Sequence, residues 1–97
     1  MVEHIVIIRW NDATPQATRQ GILEQLAALR DKIPGIVKYS VGENFSGRSQ
    51  GYHAAITSTF ADEASLAAYG PHPLHQQVAT QLSSAADSLI VLDFWPL

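Results

Sequence analysis

An α+β fold is predicted for this 97-residue sequence by three observations. Segments 2–10, 36–43, 52–60 and 88–95 are short, β-branched or aromatic, and read as strands. The first and second are separated by one segment of helical apolar spacing, the third and fourth by two. The second and third are joined by a glycine-rich loop with no helix. Strand, helix, strand, strand, helix pair, strand is the split βαβ, or ferredoxin-like, pattern. Its protomer is a four-stranded antiparallel sheet with helices on one face. The length suits one domain, taken as residues 1–97.

Each element has a local reason. "VEHIVIIRW" (2–10) puts Val2, His4, Val6, Ile8 and Trp10 on one face and Glu3, Ile5, Ile7 and Arg9 on the other. Both faces are apolar in the middle, so both are expected to be covered. Thr14 is placed to cap the first helix and Pro15 to start it. Ile22, Leu23, Leu26, Leu29 and Ile33 then follow at helical spacing, and Pro34-Gly35 ends the helix. "IVKYSVGE" (36–43) alternates as a second strand. "GENFSGRSQG" (42–51) reads as a long hairpin loop. "YHAAITSTF" (52–60) is a third strand of small residues. "ADEASLAAYG" (61–70) is a short helix capped by Asp62, with Gly70 at C′. "HPLHQQVATQLSSAAD" (72–87) is the next helix, and "SLIVLDFW" (88–95) the last strand.

Composition narrows the function classes. Hydrophobic residues make up 46% and charged residues 15%, which suits a folded core rather than disorder. A net charge of -3 without a basic stripe argues against nucleic acid. No basic amphipathic helix points to a membrane. The apolar run "IVII" is too short for a signal-peptide core or a span, so a soluble cytoplasmic chain is expected. There is no cysteine, which removes disulfides, thiolate nucleophiles and cysteine metal sites.

A sheet with helices on one face leaves the other face bare. Ile5 and Ile7 lie there, with Ile90, Leu92 and Phe94 or their alternates on the last strand. A homodimer through the sheet faces, packed as a barrel-like sandwich, is therefore expected.

The chemistry concentrates in "AYGPHPLH" (68–75). Gly70-Pro71 breaks one helix after Tyr69. His72 precedes a proline and becomes the N-cap of the next, with Pro73 first and His75 third. The positive end of the helix dipole favours a neutral His75, the form a general base needs. The Tyr69 hydroxyl, six residues back across the turn, is placed to donate to a developing oxyanion. The same residues also read as a plain helix stop and restart. His72 and His75 are three apart, but no carboxylate lies in the motif, and zinc takes three or four ligands, so no metal is expected. His4, on an apolar strand face, reads as a satisfied core histidine.

Several stretches carry a family resemblance: "VEHIVIIRW", "IPGI", "SVGENFS", "GY", then "TF…AYGPHPLH" and "VLDF". Together they resemble the stress-responsive A/B barrel, or dimeric α/β barrel (Dabb), domains over nearly the whole chain. The HPxH step after a helix ending in Tyr is the most specific part. The resemblance implies a ferredoxin-like protomer in a tight homodimer, the dimeric α/β barrel. One plant member, an olivetolic acid cyclase, closes a linear polyketide by aldol condensation without a cofactor. Its catalytic Tyr and His are similar to Tyr69 and His75, and its first-strand pocket histidine to His4. Its pocket wall is similar to Val6, Ile8, Ile22, Leu23, Leu26, Ile56 and Val78, with His72 of the HPxH step beside them. This sequence departs from that enzyme at Ala54, where the enzyme has a histidine, and at Leu26, where it has a tyrosine. Ile22 and Leu23 replace an aromatic pair.

The resemblance implies a homodimer whose pocket takes a small apolar, aromatic or polyketide-like molecule for cofactor-free proton transfer. His75 would remove a C–H proton next to a carbonyl, Tyr69 would bond the oxyanion, and His4 would orient the substrate. A non-catalytic stress or stability protein, its pocket filled by its own side chains, is the second reading. A cofactor-free monooxygenase, by analogy of fold alone, is the third.

Overall fold

In the computed structural model, which describes all 97 residues, the elements follow the predicted order. They are β1 (Val2–Trp10), α1 (Gln16–Ala27), β2 (Ile36–Glu43), β3 (Ala54–Phe60), α2 (Glu63–Tyr69), α3 (Pro73–Ala85) and β4 (Ala86–Phe94). The sheet order is β2-β3-β1-β4, with every neighbouring pair antiparallel. This is the ferredoxin-like α+β protomer that the order of elements implies.

One face of the sheet meets the helices. Val2, Val6, Ile8 and Trp10 of β1 and Ala54, Ile56 and Phe60 of β3 are buried. They form one apolar cluster with Ile22, Leu23 and Leu26 of α1 and Val78 and Leu82 of α3. Ile8 and Phe60 are fully buried. Each such side chain stabilises the fold by about 1.5–3 kcal/mol relative to exposure.

Local chemistry shifts several boundaries from the sequence reading. Thr14 does not cap α1. Its hydroxyl donates to Asn11 and to the Ala85 carbonyl, tying the loop before α1 to the end of α3, and Pro15 takes the cap position without a side-chain bond. The α-helical part of α1 stops at Ala27, and a 3-10 turn over Ala28–Asp31 carries Leu29 into the core. Gly35 then adopts φ 91°. A Cβ there would collide with the Ser65 side chain, so glycine permits both the turn and the close approach of α2. Asp62 caps α2 as expected, accepting from the Ser65 amide, which holds its carboxyl below the ordinary value.

Gly70 is not a left-handed C′ residue. Its φ is -52°, so it serves as a right-handed C-cap, and Pro71 and the His72-to-Tyr69 backbone bond make the break. His72 is the N-cap of α3, its Nδ1 accepting from the Leu74 amide at 3.1 Å. Tyr52 and His53 fall outside β3. The Tyr52 hydroxyl meets Ser88, and His53 Nδ1 accepts the Trp10 amide. β4 begins at Ala86 because Ala86 pairs with Trp10 across a bulge.

Candidate functional site

The ladder aligns four polar residues in one row across the sheet. Tyr39 of β2 pairs with Ser58 of β3, Ser58 with His4 of β1, and His4 with Asp93 of β4. Opposed residues share a face, and this row lies on the helix side. A bulge between Ile36 and Lys38 sets the phase of β2 so that Tyr39 points inward. The break between α2 and α3 supplies the roof, with Tyr69 at the end of one helix and His75 in the first turn of the other.

Tyr69 is the centre of this cluster. Its ring centroid lies 4.2 Å from that of His75, 5.0 Å from Phe60 and 6.0 Å from His4. Its hydroxyl is 2.7 Å from that of Tyr39. Burial pushes the Tyr69 phenol up, and the hydrogen bond shared with Tyr39 offsets part of that rise. Burial also pushes Tyr39 up, and the neighbouring Tyr69 adds to it through its charge and its hydrogen bond.

Both candidate imidazoles have one nitrogen committed. His75 Nδ1 faces the Gly70 carbonyl at 2.8 Å. A carbonyl only accepts, so Nδ1 carries the proton and Nε2 presents a lone pair. A carboxylate likewise only accepts, so the His4 Nδ1 carries a proton toward Asp93. The His4 backbone carbonyl accepts from Ser58 Oγ at 2.7 Å, which fixes the strand beneath it. His72 has the opposite arrangement: its Nδ1 accepts, leaving Nε2 at the half-buried surface.

The structure thus brings Tyr69, His75 and His4 together. The other pocket-wall residues, Val6, Ile8, Ile22, Leu23, Leu26, Ile56 and Val78, pack against one another in the core. Sequence reasoning missed Asp93 and Tyr39. Antiparallel pairing of the first and last strands was the signal for Asp93, since it sets "VLDF" against "VEHI". The bulge that turns Tyr39 inward left no mark in the alternation of "IVKYSVGE".

Open space lies beside the cluster. Leu89 and Val91 share the helix-side face with His4, Val6 and Ile8, yet they are 39% and 52% exposed because the helices do not reach over β4. A cavity of about 320 Å³ opens between α2 and the end of β4, walled by Leu66, Ala67 and Trp95 and touched by Asp93. On the opposite face, a depression of about 340 Å³ is floored by the small residues Ser40, Gly42, Ala55 and Thr57. No three His, Asp or Glu side chains converge in an arrangement that would hold a metal ion. No helix is long and apolar enough to cross a membrane.

Known proteins are similar to this chain in fold and in sequence. A stress-response A/B barrel domain-containing protein, HS1, of Arabidopsis thaliana is 26% identical over 97 residues, which cover 98% of this chain and 89% of that protein. A dimeric ferredoxin-like protein of unknown function from Jannaschia sp. CCS1 superposes with a TM-score of 0.81 at 27% identity, covering 98% of each chain. A hydroxynitrile lyase from Passiflora edulis reaches 0.87 at 23% identity, over 96% of this chain and 90% of that one. The family model of the stress responsive A/B barrel domain matches residues 2–96. With the split βαβ sheet and the Tyr-then-HPxH helix break both present, the chain belongs to the stress-responsive A/B barrel (Dabb) domain family.

Proposed function

We propose that this chain works as a homodimer that binds a small apolar or aromatic carbonyl compound and moves a proton on it without a cofactor. The observation that carries the reading is the pair of committed imidazoles around Tyr69. Gly70 O holds His75, and Asp93 holds His4, each with Nε2 free. His75 Nε2 takes the C–H proton adjacent to the carbonyl. The C–H electron pair moves into the enolate, whose oxygen accepts the Tyr69 proton as a hydrogen bond. His4 orients the carbonyl, and the open stretch of Leu89 and Val91 supports the apolar part of the ligand. The fold also occurs in a hydroxynitrile lyase, so this scaffold hosts catalysis elsewhere.

Dimerisation is supported by the sheet's bare face. Ile90, Leu92 and Phe94 stand exposed as a ridge beside the shallow depression over Gly42 and Ala55. A two-fold pairing sets the ridge of each copy into the depression of the other. Similar solved proteins are described as dimeric.

The experiment is deuterium exchange at the methyl group of acetophenone in D2O, followed by proton NMR. Tyr69→Phe and His75→Ala are each expected to lower catalysed exchange by at least about 10²-fold while leaving the circular dichroism spectrum unchanged. Undiminished exchange in both variants rejects the site. A second reading, a non-catalytic stability protein, is favoured by one observation: the seven apolar wall residues fill their own space. Absence of any catalysed exchange across a panel of aryl and 1,3-dicarbonyl ketones supports that reading.

A further inference from the structure

Tyr39 is a buried hydroxyl that the reaction above does not use. It lies on β2 at one end of the sheet's polar row and has the Tyr69 oxygen as its one hydrogen-bond partner, at 2.7 Å. Tyr69 is equally buried, and its hydroxyl likewise bonds only to Tyr39. Each phenol has one proton and two lone pairs. The pair therefore uses one proton and leaves the other over. If Tyr69 were the donor, the spare proton would sit on Tyr39, which is equally buried and has no second acceptor. With Tyr39 as donor, the spare proton sits on Tyr69, the member whose ring borders both His75 and His4. An unmade hydrogen bond costs least where an incoming group can complete it.

We propose that Tyr39 is a positioning residue: its hydroxyl donates to the Tyr69 oxygen, so that the Tyr69 proton is the one left to face an acceptor in the site. Donation into the Tyr69 oxygen makes Tyr69 a stronger donor, because hydrogen bonds in a chain polarise one another. Charge developing on a ligand oxygen is then shared through Tyr69 to Tyr39, inside a region closed to water. The inference rests on the reading of Tyr69 as oxyanion donor, but the hydrogen-bond polarity is measurable without turnover.

The test places 3,5-difluorotyrosine, whose phenol ionises near neutrality, at position 69 and follows its fluorine resonance with pH. Comparison is with the same protein carrying Tyr39→Phe, which keeps the ring and removes only the hydroxyl. Loss of the donor is expected to move the Tyr69 ionisation up by about one pH unit, a tenfold loss of phenolate stabilisation. A single dispersed fluorine line at low pH in both proteins shows that each is folded. Unchanged ionisation overturns the proposal, as does a downward shift. Deuterium exchange is measured on Tyr39→Phe with tyrosine at 69. A fluorine shift with exchange absent even in the unsubstituted protein supports the hydroxyl pair and rejects the proton-transfer reading. A fluorine shift with exchange slowed about tenfold in kcat at constant KM supports both.

Discussion

The imidazole of His75 lies against the ring of Tyr69, centroids 4.2 Å apart, across the break that separates α2 from α3. Neither residue reaches this arrangement through its own helix alone. Gly70 and Pro71 stop one helix, His72 and Pro73 start the next, and the Gly70 carbonyl anchors His75 Nδ1. Removing the proposed base, as in His75→Ala, is expected to lower catalysed exchange by roughly 10²–10⁴-fold. Tyr69→Phe has a second consequence, because it strands the buried Tyr39 hydroxyl. A destabilisation of about 1–3 kcal/mol in urea unfolding should accompany it.

Asp93 decides which nitrogen of His4 carries the proton. In Asp93→Leu the carboxylate is gone, and nitrogen NMR of His4 should show a mixture of tautomers in place of the single Nδ1–H form. Asp93 is half exposed, so the stability change should stay within about 1 kcal/mol. A single unchanged tautomer in the variant would show that Asp93 does not direct His4.

Ile90 and Leu92 carry the exposed ridge of the outer face. In the proposed dimer a charge placed there, as in Ile90→Asp, meets the partner's sheet and should leave a monomer in sedimentation at low micromolar concentration. Ala55→Trp, which fills the depression instead of damaging the ridge, should do the same. A wild-type chain that sediments only as a monomer removes the dimer altogether.

Gly35 combines a φ of 91° with contact to Ser65. Gly35→Ala should therefore destabilise by more than about 1 kcal/mol. Adding Ser65→Gly should recover the collision part but not the backbone part, which thermal unfolding of both variants will separate.

The phenols of Tyr39 and Tyr69 set an alkaline limit. Both ionise above the ordinary value of 10.0 in the folded chain, because burial disfavours the phenolate. The unfolded chain therefore releases these protons first. Their contribution is complete below pH 10 and is lost as the pH rises toward the folded values. Urea midpoints should fall as the pH rises above about 10, and more gently in the Tyr39→Phe, Tyr69→Phe double variant. Equal slopes would assign the alkaline limit to other groups.

Much of the fold was legible because apolar period and breakers are local. "VEHIVIIRW" alternates, "GPHP" interrupts, and His72 and Asp62 cap by rules that span three residues. Thr14 and Gly70 misled for the converse reason. A threonine before Pro15 satisfies the local rule for a cap, but its hydroxyl finds Ala85, distant in sequence, instead. Of the candidate site, the Tyr69–His75 pair was legible because six residues and one turn contain it. Asp93 and Tyr39 were not, because their partners lie 89 and 30 residues away.

The sequence by itself determined the element order, the helix break and the identity of the residues at it, since all of these follow from short-range sterics and periodicity. The tertiary structure alone decided register. Pairing β1 with β4 set Asp93 against His4, and one bulge in β2 turned Tyr39 toward Tyr69. Shifting either strand by one residue would point its side chain to the opposite face of the sheet, a choice made by burial and pairing across strands.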